Sequence, residues 1–136
     1  MSETGQKHLI LILAREFASK LATAAFITDG EGKLVYYNEQ AETLLGRGFA
    51  EAGEMPAEEW PNLFAIEHLD GRPMTLEEMP EGIALLERRP AHDACRITSL
   101  DGHHRELAVT AFPLFARGAD FVGTVIFFWE PSDNGN

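Results

Sequence analysis

One cysteine in 136 residues, Cys95, leaves the chain without a partner for an intramolecular disulfide. Positive charge is scarce as well: 11 Lys and Arg stand against 22 Asp and Glu, a formal net charge of -11. A surface of that sign repels phosphate backbones and anionic lipid headgroups, so neither nucleic acid nor a membrane is expected as partner. Long hydrophobic runs are missing. Leu9-Ile-Leu-Ile-Leu-Ala14 is soon interrupted by Arg15, Glu16 and Lys20, far short of the about 20 apolar residues of a membrane span and unlike a secretory leader. A cytoplasmic protein is expected. There is no Gly-rich phosphate loop, no nucleophile elbow and no zinc-spaced Cys/His set, so no catalysis is expected either.

What the chain does carry is 45% hydrophobic residues, nine Phe among them, in a length suited to one domain with a real core. The most informative stretch runs from Ala24 to Gly46. Ala24-Ala-Phe-Ile-Thr-Asp29 reads as a strand, Gly30-Glu-Gly32 as a tight turn, and Leu34-Val-Tyr-Tyr37 as the returning strand. Asn38 can cap the following helix by accepting one of its unpaired N–H groups, and Gly46 suits the left-handed residue that closes it.

Before this block, His8 to about Leu21 has helical spacing, with Leu9, Ile10, Leu13, Phe17 and Leu21 on one broad face. Leu11 and Ile12 widen that face beyond one docking surface, so the helix can pack on a sheet, meet another copy of the protein, or do both. From Arg47 to Met74, Pro56 and Pro61 punctuate short helical turns anchored by Trp60, Leu63, Phe64 and Ile66. Asp70-Gly71-Arg72-Pro73 is a turn, and Thr75 with Glu78 has the spacing of a capping box. The helix that follows presents Met79, Ile83 and Leu86 and ends near Arg88-Arg89-Pro90, with Pro80 able to delay its start by a turn. Three strands are expected at 92–99, 104–115 and 120–130. The last is apolar on both faces, which requires cover on both sides of the sheet.

The Ala24–Gly46 block resembles the opening of a PAS domain. Gly71-Arg72-Pro73 with Glu77-Glu78-Met79-Pro80 is similar to a segment common before the long PAS helix. Leu100-Asp-Gly102, Glu106-Leu-Ala-Val-Thr-Ala-Phe-Pro113 and Phe121-Val-Gly123-Thr-Val resemble the later hairpins. The resemblance covers about 22–130 and implies an α+β fold: a five-stranded antiparallel sheet, helices on one face and the N-terminal helix on the other. It divides the chain into a helical cap at 1–22, a PAS domain at 23–130 and a flexible tail at 131–136.

The resemblance also implies a ligand cavity between the concave sheet face and the helices. Strand alternation assigns Phe26, Thr28, Cys95, Ile97, Ala108, Thr110, Val125 and Phe127 to it, with Leu45, Phe64, Met79, Ile83 and Leu86 as the other wall. The opposite face, under the N-terminal helix, is then Leu107, Val109, Val122, Ile126 and Phe128. A slip of one residue in register would exchange the two sets. Such a cavity suits a small apolar ligand, or the Phe side chains fill it.

Cofactor chemistry finds little footing. A light-oxygen-voltage photoreceptor would need a cysteine where this chain reads Gly48-Phe-Ala-Glu-Ala-Gly53, and Cys95 lies on a later strand, as a buried small hydrophobe. Haem-binding PAS domains place a His on the long helix, and none stands between Leu76 and Arg89. His68 reads as a loop residue. His103 and His104 are neighbours on a strand and point to opposite faces, a poor chelate even with Asp101 and Glu106 near; His8 and His92 lack partners at ligand spacing. Glu106 can begin on the concave face, where an acid would be informative, but strand ends commonly carry solvated Glu.

The expectation is a non-catalytic sensory or signalling module that holds a small apolar ligand, a protein partner, or both. It dimerises through Leu9, Leu11, Ile12 and Phe17 of the helix and Val122, Ile126 and Phe128 of the sheet. Its output passes to a separate signalling protein in trans. No cofactor is specified by the residues; the alternative is a haem- or flavin-dependent gas, redox or light sensor.

Overall fold

The computed structural model describes residues 3–131; of the expected tail at 131–136 only Pro131 falls within them. Helix α1 (Glu3–Ala18) begins earlier than its apolar pattern and stops before Leu21. Strands β1 (Ala24–Asp29) and β2 (Leu34–Tyr37) form the first hairpin. Its turn is organised by Asp29, whose Oδ1 accepts the N–H groups of Glu31 at 2.9 Å and Lys33 at 3.0 Å. Three short helices follow: α2 (Glu39–Leu45), α3 (Phe49–Ala52) and α4 (Trp60–Leu63). Asn38 caps α2, accepting from Ala41 N–H at 3.0 Å, and Gly46 closes it at φ 85°.

Helix α5 (Pro80–Leu86) differs from expectation in phase. The capping box is present, with Thr75 N–H donating to Glu78 Oε1 at 2.8 Å, but it organises a 3-10 turn, Leu76–Glu78. Met79 is then extended (φ -84°, ψ 149°) and Pro80 restarts the helix at its first position, where its missing N–H is harmless. This break rotates the helix. Pro80, Glu81, Gly82 and Ala84 are buried, Ile83 is half-buried, and Leu86 is 54% exposed. Leu86 is therefore no cavity wall.

Strands β3 (Ala91–Thr98), β4 (His104–Phe115) and β5 (Phe121–Trp129) complete one antiparallel sheet in the order β2-β1-β5-β4-β3. Helices α2 and α5 pack on one face, and α1 on the other, against β1, β2 and β5. Each face has its own core cluster. The α+β architecture expected from the sequence is thus what forms, with two dry faces and helices on both.

The register corrects the assignment of faces in β4 and β5. Residues directly opposite on antiparallel strands share a face. Phe26 faces α2 and α5 and pairs with Ile126, which pairs with Ala111; Phe128 pairs with Val109, and Leu107 with Cys95. The inner face therefore carries Leu107, Val109, Ile126 and Phe128, all expected outside. Ala108, Thr110, Val125 and Phe127, all expected inside, are on the outer face. Val122 alternates with Ile126 and is buried, so it too is absent from the outer surface. The reason is physical: β5 is apolar in both alternations, so its own pattern sets no phase, and pairing with β1 imposes one.

Candidate functional site

Between the inner sheet face and the helices lies a cavity of about 30 Å³. The sheet contributes Phe26 from β1, Cys95 and Ile97 from β3, Leu107 and Val109 from β4, and Ile126 and Phe128 from β5. Leu45 ends α2 at its rim, Trp60 and Phe64 come from α4 and its end, and Ile66 follows them. Trp60 is fixed twice: its Nε1–H donates to Gly32 O at 2.9 Å, and its ring meets Phe26 edge-on at 5.1 Å between centroids.

The remaining lining residue is Glu81, 8% exposed, with an Oε1 that has no hydrogen-bond partner. Burial pushes its carboxyl up to about 7, against the pull of its own backbone N–H. The side chain is turned inward by the packing of α5. A Cβ on Gly82 would stand 1.6 Å from Leu76 O, so only glycine lets the 3-10 turn lie against the first turn of α5. The sequence reading missed this acid. Its signal was Pro80 itself, because a helix restarted there points Glu81 and Ala84, rather than Leu86, at the sheet.

Of the residues expected to line a cavity, the structure brings together Phe26, Leu45, Phe64, Cys95 and Ile97. Thr28 is buried on the same face but spent on a 2.7 Å hydrogen bond with Thr124 Oγ1. Met79 is fully buried in the core without reaching the cavity. Burial raises the Cys95 thiol to about 12, reinforced by the charges of Glu81 and Asp93; at ordinary pH it is a thiol, not a nucleophile. Glu106 is exposed and pairs in register with Arg96, away from the cavity.

The assembly residues also divide. Leu9, Ile12 and Phe17 are exposed, Phe17 by 63%, whereas Leu11 packs on the outer sheet face beneath α1. Val122, Ile126 and Phe128 are all at most 4% exposed within the protomer and form no surface. In their place an open apolar groove runs between α1 and the outer sheet face, from Leu13, Phe17 and Leu21 to Phe112, Leu114 and Phe127. Correct phasing of β4 and β5 would have found it.

Three of the five histidines are occupied separately. His68 Nε2 lies 3.1 Å from Glu78 Oε2, His103 Nδ1 3.2 Å from Asp101 Oδ1, and His104 Nδ1 3.1 Å from Thr98 Oγ1. Hydrogen bonds from Ser99 and His103 lower Asp101 to about 2. Among the described residues no three His, Cys, Asp or Glu side chains converge as a metal site, and no helix is long and apolar enough to cross a membrane.

No family model matches the chain, and no curated protein matches it. Solved structures do. The PAS domain of a protein from Colwellia psychrerythraea is 19% identical, with a TM-score of 0.65 over 90% of this chain and 97% of that one. The PAS domain of BvgS from Bordetella pertussis is 14% identical, with a TM-score of 0.62 over 91% and 87%. A LOV protein from Rhodobacter sphaeroides is 14% identical, with a TM-score of 0.70 over 99% of this chain and 72% of that one. At these identities the likeness is one of backbone, and on that ground the chain has the PAS fold.

Proposed function

We propose that this chain is a non-catalytic sensory or signalling module of the cytoplasm. The domain at 23–130 holds a small apolar ligand in its inner cavity, and the helical cap at 1–22 joins two copies. Output goes to a separate signalling protein in trans, with neither nucleic acid nor membrane as partner. The observation that carries this reading is the disposition of two apolar surfaces on opposite faces of one sheet, the cavity under the helices and the groove beside α1. Asn38 connects them: it caps α2, whose last residue Leu45 lines the cavity, and donates to the last carbonyl of α1. A ligand that favours one packing of α2 then biases α1 and the surface it presents.

The second copy is the occupant that suits the groove. The chain carries a net charge of -11, yet the groove offers only apolar groups, so an isologous contact there removes apolar surface from water without opposing acids. The haem or flavin alternative draws no support from the site. The lining contains no histidine, and the one thiol is buried and held protonated.

Native mass spectrometry of the purified chain tests the reading. A dimer with a discrete extra mass is expected. A bare dimer removes the ligand and leaves an interaction module; a bare monomer overturns both halves.

A further inference from the structure

The reading above leaves the ligand's chemistry open, and Glu81 narrows it. Eleven of the twelve lining side chains are apolar or sulfur-bearing, and the indole N–H of Trp60 already donates to Gly32. Oε1 of Glu81 is therefore a lone unpaired oxygen on an otherwise apolar wall, purely an acceptor once the carboxyl ionises above about pH 7. An unsatisfied buried carboxyl is costly, and an apolar side chain of similar shape would avoid the cost altogether.

Water is a poor complement. A volume of about 30 Å³ admits one or two molecules, but an ordered buried water needs two to four polar partners, and this wall offers one strong one. A cationic amine is no better, because its further N–H groups would meet only aromatic and aliphatic carbon. What matches the wall is a molecule with a single donor and an apolar remainder.

We infer that the cavity takes a compact, neutral, mostly apolar molecule with one N–H or O–H group, which donates to Oε1 of Glu81. This rests on the ligand-binding half of the proposed function. A ring-sized body requires the wall to yield, since a cavity that holds benzene measures about 150 Å³. The wall most easily displaced lies just after α4, where Ala65 stands at φ 48° between the lining residues Phe64 and Ile66. Those two would move outward, while Trp60 stays on Gly32 O and Phe26.

The test uses pyrrole and thiophene, five-membered rings of similar size of which only pyrrole has an N–H. Both are titrated into the full chain at pH 8, where the Glu81 carboxyl is mostly ionised, and followed by amide NMR shifts. The wild-type protein is expected to bind pyrrole about tenfold more tightly than thiophene, one hydrogen bond's difference. Glu81→Leu is expected to lose or reverse that preference, and Glu81→Gln, which keeps a carbonyl oxygen, to retain part of it. The wild-type comparison stands even if a variant fails to fold. Equal binding of the two rings overturns the role of Glu81 and leaves the cavity as a ligand site. Binding of neither, in a protein that still dimerises, overturns the ligand class and leaves the interaction module.

Discussion

Asn38 Nδ2 donates to the carbonyl oxygen of Ala18 at 2.9 Å, joining the last residue of α1 to the cap of α2. The same amide donates to Thr23 O at 2.9 Å, and its oxygen accepts from the N–H groups of Ala25 and Ala41 at 3.0 Å each. Asn38 is fully buried, so one side chain satisfies the backbone where the helical cap, the first strand and the second helix meet.

Asn38→Ala would leave two carbonyls and two N–H groups without that partner. A loss of about 3 kcal/mol is expected, measured by urea unfolding, with faster amide exchange in α1 than in β4. Unchanged exchange in α1 would show that the cap is held by its apolar contacts alone.

Glu81 gives stability an unusual pH dependence. Its folded pKa, about 7, lies above the ordinary carboxylate value of 4.5, so between those values the folded state binds more protons. Its contribution is full below about pH 4.5 and is lost as pH rises through 7, by about 3 kcal/mol. Glu81→Leu should lack this slope and be more stable by about 2 kcal/mol at pH 8. Parallel pH profiles for the two proteins would show that the carboxyl finds a partner.

Gly82→Ala places a methyl group 1.6 Å from Leu76 O before relaxation, in backbone that cannot rotate away. A loss of about 2 kcal/mol or more is expected on thermal unfolding, despite alanine's better helix propensity. A neutral result would mean that the 3-10 turn and α5 separate easily.

The register assigns opposite consequences to two residues once grouped as assembly surface. Phe17→Glu should give a folded monomer by light scattering, since Phe17 is exposed beside the groove. Ile126→Ala should cost about 3 kcal/mol of folding stability because Ile126 is sealed beneath the helices. A dimer that survives Phe17→Glu would place the contact elsewhere.

The sequence by itself determined the elements and their order. Asp29, Gly32 and Gly46 are local instructions, as is Asn38 in capping α2: type and position suffice for a turn or a helix end. The bonds of Asn38 to Ala18, Thr23 and Ala25 instead needed the fold to bring them together. The double apolar pattern of β5 likewise required helices on both faces of the sheet. Phase was another matter. In β5 either alternation could face inward, and only pairing of Phe26 with Ile126 chose one. In α5, the restart at Pro80 and the contact of Gly82 with Leu76 O turned Glu81 into the cavity. Tertiary structure decided these because the direction of a side chain in a doubly apolar strand, or in a helix broken at its start, is fixed by long-range partners and not by its neighbours in the chain.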